Sequence, residues 1–199
     1  MRHDRGKLIV VSGPSGAGKS TVINKVMSGR NDLHFSVSAT TRAPRDGEVD
    51  GVNYYFLERE KFREMIANEE FLEYAEYVEN FYGTPVAPVK ENLEKGNSII
   101  LDIEVQGAAN VRRVMPEAVT VFLTPPNFEE LEKRLRARGK DSEEMILGRL
   151  SRAREEYREI SKYDYIVIND DLDEAAEELS AIILAEQCRT ADRITLLKD

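Results

Sequence analysis

Gly13-Pro14-Ser15-Gly16-Ala17-Gly18-Lys19-Ser20 has the glycine and Lys-Ser spacing of a phosphate-binding loop. Its flanks carry the context that such a loop requires. Lys7 to Val11 is a short apolar run rich in Ile and Val, which reads as a buried strand. After the loop, Val22 and Val26, with Ile23 and Met27, recur at helical spacing until Gly29 ends the pattern. Strand, glycine-rich turn and helix in that order commit the chain to an α/β fold. The glycines let backbone N–H groups wrap around phosphate oxygens, and the helix adds the positive end of its dipole. In that arrangement Lys19 reaches the β- and γ-phosphates of a nucleoside triphosphate, and the Ser20 hydroxyl holds Mg²⁺. A merely structural glycine turn would leave both the spacing and the flanks unexplained.

Later segments fit the same plan. Ser98 to Ile103, Val119 to Leu123 and Tyr165 to Ile168 are β-branched runs. Helical patterns over Gln106 to Met115, Phe128 to Arg138 and Ser142 to Ser161 separate them. This alternation predicts a three-layer core with a central parallel sheet. Asp173 to Glu186 closes it as an amphipathic helix with Ala175, Leu179, Ile182 and Ile183 on one face. Residues 34–96 read differently: short tyrosine-rich runs broken by turn signals predict an inserted, mainly antiparallel subdomain. The expected division is one domain over 1–199, with core at about 6–33, 97–126 and 162–190, insert at about 34–96 and a helical segment at about 127–161.

Composition narrows the partners. Of 199 residues, 41% are hydrophobic and 33% charged, a globular balance. A net charge of −9 disfavours general nucleic-acid binding, and apolar runs as short as Leu8-Ile9-Val10-Val11 cannot span a membrane. Met1 to Arg5 lacks the apolar stretch of a signal peptide. The single cysteine, Cys188, excludes an internal disulfide and fits a reducing, cytoplasmic location; it reads as a half-buried helix residue with no catalytic role. Nothing in the sequence indicates an oligomeric state.

A phosphate-binding loop does not name the acceptor. Thr41 to Glu48 sets Arg42 and Arg45 three apart around Pro44, on a stiff loop that suits bidentate grip on a phosphate monoester. Alone, this fragment reads equally as a solvated basic loop. Asp102 ends an apolar strand, where a carboxylate faces the ligand crevice of an α/β sheet; it either holds Mg²⁺ through water or contacts the acceptor, and a capping aspartate is the structural alternative. Arg134 and Arg138, four apart, share one helix face, and Arg149 lies on the next helix. They suit either developing phosphoryl charge or plain solubility.

Together these segments resemble the guanylate kinase family. Gly13 to Thr21 is similar to its P-loop. Ser36-Val37-Ser38 followed by Thr40 to Glu48, Asn53-Tyr54-Tyr55-Phe56, Phe71-Leu72-Glu73 and Tyr82-Gly83-Thr84 are similar to its GMP-binding segments. Leu101 to Gly107 and Ile168 to Leu172 complete the series, from about Leu8 to Leu184 in the family's order.

The resemblance implies phosphoryl transfer from Mg·ATP to GMP in purine nucleotide metabolism. It implies ATP contacts from Gly13, Pro14, Ser15, Gly16, Ala17, Gly18, Lys19, Ser20 and Thr21, with Arg134, Arg138 and Asn169. It implies GMP-phosphate contacts from Arg42, Arg45, Tyr54 and Tyr82, and guanine reading by Ser38, Glu73 and Thr84, with Asp102 and Glu104 beside the acceptor. It implies that the helical segment at about 127–161 is a lid that closes over ATP, and that Lys19, Arg42, Arg138 and Arg149 are the catalytic cations. Glu73 suits guanine, since an ionised carboxylate accepts from both N1–H and the N2 amino group, while Ser38 and Thr84 can donate to O6. Two positions depart from the family pattern, Glu104 where aspartate is common and Thr84 where serine is common. Two rivals remain: a guanylate-kinase-like protein-binding module, which would lack intact ATP-site residues such as Lys19 and Ser20, and a kinase for another small phosphate, which need not keep Ser38, Glu73 and Thr84.

Overall fold

The computed structural model describes residues 5–77, 79–137, 139, 141–194 and 197. Five parallel strands form the central sheet: β1 (Leu8–Ser12), β2 (Leu33–Phe35), β7 (Ser98–Asp102), β8 (Val119–Thr124) and β9 (Tyr165–Ile168). Their order is β2-β7-β1-β8-β9. β1, β7 and β8 carry runs of buried residues, as strands covered on both faces must. The helix α1 (Lys19–Ser28) and the long α7 (Leu172–Gln187) pack on one face through Val22, Ile23, Val26, Ala175, Leu179 and Ile183. On the other face lie α3 (Val86–Glu94) and α4 (Val105–Val114), through Val89, Leu93, Ala108 and Val111.

This topology places the ligand crevice. β1 hands the chain to α1 on one face, and its neighbour β7 hands it to α4 on the other. The exits diverge, and the crevice opens at the carboxyl ends of the two strands. Val11 is level with Asp102 in the pairing, so the loop after β1 and Asp102 meet there.

A second, mixed sheet has the order β4-β3-β6-β5, from β3 (Ala39–Thr40), β4 (Tyr55–Phe56), β5 (Phe71–Tyr77) and β6 (Asn80–Pro85). β6 pairs antiparallel with β3 and β5, while β3 pairs parallel with β4. Against it packs α2 (Arg59–Ala67), whose Phe62 stacks on Phe71 at 4.3 Å and Phe81 at 5.3 Å. The helices α5 (Phe128–Ala137) and α6 (Glu143–Tyr157) form a hairpin with its own core of Leu131, Leu135, Ile146, Leu150 and Ala153. Ser142 caps α6 by accepting from Met145 N–H at 3.3 Å.

Several expectations change. β2 straddles the expected boundary between core and insert and α3 falls inside the segment read as the insert, yet both join the core, because β2 pairs with β7 and α3 packs its Val89 and Leu93 beneath the sheet. The helices α2 and α3 lie within a segment read as mainly antiparallel strands. The helix expected over Ser142 to Ser161 ends at Tyr157, and a 3-10 turn covers Ile160–Lys162. Cys188 follows α7 as its C-cap and is exposed, not half-buried. The last helical turn, α8, spans Thr190–Arg193. Among the described residues no helix is long and apolar enough to cross a membrane.

Candidate active site

The loop after β1 is held by its neighbours. Gly13 has φ 142°, and a Cβ there would lie 2.0 Å from the Leu123 carbonyl oxygen on β8. Gly18 has φ 91°, and a Cβ there would lie 2.4 Å from Asn169 Nδ2. Both positions therefore exclude side chains twice over, by conformation and by space. Asn169, 7% exposed at the end of β9, donates Nδ2–H to the Ala17 carbonyl at 2.7 Å. Its amide thus braces the loop, a role beyond the ATP contact that the resemblance implies. Gly18 is the N-cap of α1 and no side chain caps it, so the helix presents its N-terminus to the crevice. Lys19 Nζ–H folds back to the carbonyl of Gly13 at 2.7 Å.

Ser20 Oγ–H donates to Asp102 Oδ2 at 2.7 Å. The serine proton is committed to the carboxylate, which leaves the hydroxyl oxygen's lone pairs for a hard cation. An all-oxygen pair of this kind fits Mg²⁺, which keeps several waters and takes the rest of its shell from substrate phosphates. No cluster of three or more His, Cys, Asp or Glu suited to a metal occurs among the described residues.

Two cavities meet at this point. One, of about 410 Å³, is lined by Gly13, Ser15, Lys19, Glu104, Arg149 and Arg152, with Glu156. Its roof comes from α6: Arg149 Nη1–H donates to Ser15 Oγ at 2.6 Å, while its Nε lies 3.3 Å from Asp141. The other, of about 360 Å³, includes Lys19, Glu73, Asp102, Ile103, Glu104 and Gly107 in its lining. Lys19 and Glu104 belong to both.

Glu73 sits in the second cavity because β5 is irregular. The register slips between Phe71 and Glu73, and Glu73 then stands opposite Thr84 on β6. Thr84 Oγ1–H donates to Glu73 Oε1 at 2.7 Å. Burial raises the Glu73 pKa above the ordinary value; the Thr84 hydrogen bond opposes this, and the nearby Glu104 carboxylate adds to it. The Thr84 proton is spent on Glu73, so donation to O6 of a guanine requires that bond to be exchanged first.

The arginine loop forms a separate group. Arg42 Nη2 lies between both oxygens of Glu48, at 2.8 and 2.9 Å, and its guanidinium carbon lies 5.6 Å from the Tyr54 ring centroid. Tyr54 meets Tyr82 edge-on at 6.2 Å. Arg45 is exposed, and Ser38 enters the group through its backbone, its carbonyl accepting from Tyr55 N–H at 2.9 Å. On the hairpin, Arg134 is tied to Glu130 at 2.8 Å in its own helix. Arg138 lies outside the described residues.

The chain matches the model of the guanylate kinase family over residues 5–186. A guanylate kinase of Streptococcus thermophilus is 54% identical over 187 residues, 94% of this chain and 90% of that protein. This chain belongs to the guanylate kinase family. A guanylate kinase of Caldanaerobacter subterraneus subsp. tengcongensis is 51% identical over 93% of this chain and 90% of its own length. The crystal structure of guanylate kinase from Anaplasma phagocytophilum superposes with a TM-score of 0.70 at 37% identity, covering 96% of this chain and 91% of that one. The family's members are nucleoside monophosphate kinases, and the two-cavity layout has the form such a transferase needs.

Sequence reasoning passed over Arg152 and Glu156. Arg152 Nη2–H donates to Glu104 at 2.5 Å, and its Nε lies 3.3 Å from Glu156. Burial raises the Glu156 pKa, opposed by Arg152 and Lys19. The signal was available: Arg152 follows Arg149 by three and precedes Glu156 by four, one continuous helix face.

Proposed function

We propose that this family member transfers the γ-phosphoryl group of Mg·ATP to the phosphate of GMP, giving ADP and GDP by direct in-line displacement. The observation that carries the reading is the shared wall: the P-loop cavity and the Glu73 cavity have Lys19 and Glu104 in common. Donor and acceptor bound on its two sides would face each other across one lysine. Ser20 and Asp102 would hold Mg²⁺, Asp102 through water; the ion would supply charge neutralisation on the donor phosphates. The loop N–H groups and the α1 N-terminus would bind those phosphates, with Arg149 and Arg134 over them. Arg42, Arg45, Tyr54 and Tyr82 would grip the acceptor phosphate. Ser38, Glu73 and Thr84 would read guanine, with Asp102 and Glu104 beside it. Lys19, Arg42, Arg138 and Arg149 would spread over the charge of the transferring group. No enzyme nucleophile is needed, since positioning and electrostatics do the work. We place the activity in the reducing cytoplasm, with the two nucleotides as partners and neither nucleic acid nor membrane.

The test is a coupled assay of ADP release across GMP, IMP, AMP and a ribose bisphosphate. GMP is expected to have the highest kcat/KM, and Lys19→Met to lose at least ~100-fold in kcat. Another acceptor exceeding GMP, or a folded Lys19→Met protein of near-normal kcat, overturns the reading.

A further inference from the structure

The arginine loop contains a carboxylate that the reaction does not obviously need. Glu48 stands in a group meant to receive a phosphate dianion, and a negative charge there opposes the ligand. Its contacts nonetheless converge on the two arginines. Arg42 Nη2 lies between its two oxygens, at 2.8 and 2.9 Å. Glu48 Oε2 also accepts from the backbone N–H of Arg45 at 2.7 Å, and Glu48 N–H returns a bond to the Arg45 carbonyl at 3.0 Å. Between them Gly47, at φ 85°, makes the left-handed step that lets the turn close. On its other side Arg42 Nη1–H donates to the Ala43 carbonyl at 2.7 Å, and its guanidinium lies 5.6 and 5.9 Å from the rings of Tyr54 and Phe56. Arg42 Nε takes no part in the Glu48 and Ala43 contacts.

The pair is also sheltered, the two side chains being 17% and 19% exposed, whereas pairs such as Lys61–Glu64 and Lys95–Glu91 are open to solvent. The hydrogen bond from Arg42, with that from Arg45 N–H, lowers the Glu48 pKa, so the carboxylate stays ionised at neutral pH. A long arginine ordered before its ligand arrives loses less rotamer freedom on binding. The pairing with Arg42 also reduces the repulsion that the Glu48 charge exerts on an incoming dianion.

We propose that Glu48 is a positioning residue for the acceptor phosphate: it holds the Arg42 guanidinium and the Arg45 turn in the geometry that receives a phosphate monoester dianion. The inference rests on the reading of Arg42 as the acceptor-phosphate grip, and the experiment separates the two. Glu48→Gln, Arg42→Met and the double variant are assayed for KM of GMP, KM of ATP and kcat, and titrated with guanosine, which lacks the phosphate. Glu48→Gln is expected to raise KM for GMP about ten-fold, with KM for ATP and guanosine affinity both within ~3-fold. In the Arg42→Met background the same substitution is expected to add no more than ~2-fold, since a residue that acts through another has nothing left to position. An undiminished effect in that background, equal losses of guanosine or ATP, or an unchanged KM for GMP overturns the inference. If Arg42→Met itself leaves KM for GMP unchanged, the grip reading fails instead.

Discussion

The proposed contact with guanine requires Glu73 to be charged in a place where burial opposes charge. Burial raises its pKa, which means that the folded protein disfavours the ionised form. The sign follows from linkage: a raised folded pKa gives stability below the unfolded value, and this is lost as pH rises through the folded one. Ionised Glu73 therefore costs stability at neutral pH. Reading guanine needs the ionised form, since only it accepts from both N1–H and the N2 amino group. Glu73→Gln should raise the free energy of unfolding and lower kcat/KM for GMP by more than ~10-fold. In the wild type the acid limb of kcat/KM should lie above the ordinary 4.5 of a glutamate, and the substitution should remove it. A variant that is both less stable and still follows the wild-type pH profile would show that Glu73 is structural. IMP, which lacks the amino group, should trail GMP by roughly 10- to 200-fold in the wild type and by less in the variant.

At the scale of elements, the P-loop depends on β9 as much as on β1. Asn169 closes the contact between them through the Ala17 carbonyl. Asn169→Ala would leave that buried carbonyl unpaired, so denaturant melts should show a loss of about 1–3 kcal/mol, with ATP affinity falling and GMP affinity little changed. Loss of ATP affinity at unchanged stability would instead mark Asn169 as a direct nucleotide contact. The same contact shows what a sequence discloses. β1, β7, β8 and the P-loop were legible because buried parallel strands are unbroken apolar runs and glycine spacing is local. The helices α2 and α3 were not: α2 buries only Phe62 and α3 only Val89 and Leu93, too little to set a helical period. β3 and β4 have two residues each, below any alternation. In the site, residue types at fixed spacing were readable, whereas the bulge that aims Glu73 and the pairings of Arg152 with Glu104 and Thr84 with Glu73 depend on partners 11 to 48 positions away.

As a whole, the molecule has separate apolar clusters for the sheet faces, the α5–α6 hairpin and the second sheet. The hairpin core seats on the loop at Gly16, where a Cβ would touch Leu135 at 3.0 Å and Leu131 at 3.2 Å. Farther out, the hairpin reaches the rest through Arg149 to Ser15 and Arg152 to Glu104, exposed contacts of small individual worth. We predict that such an attachment pivots at its base and parts at its tip. Small-angle scattering with GMP and a non-hydrolysable ATP analogue together should therefore give a smaller radius of gyration than the free protein, and a smaller one than either ligand alone. An unchanged radius at saturation would argue for a rigid frame. The wall that Lys19 and Glu104 share between the two cavities has one more consequence. A single compound with two nucleoside heads joined by a phosphate chain could seat one head in each cavity. Once the first head docked, the second would be at millimolar effective concentration, and such tethering can exceed either separate affinity by roughly 10²- to 10⁴-fold. Chain length would then act as a ruler, with tightest binding at the number of phosphates that spans the wall.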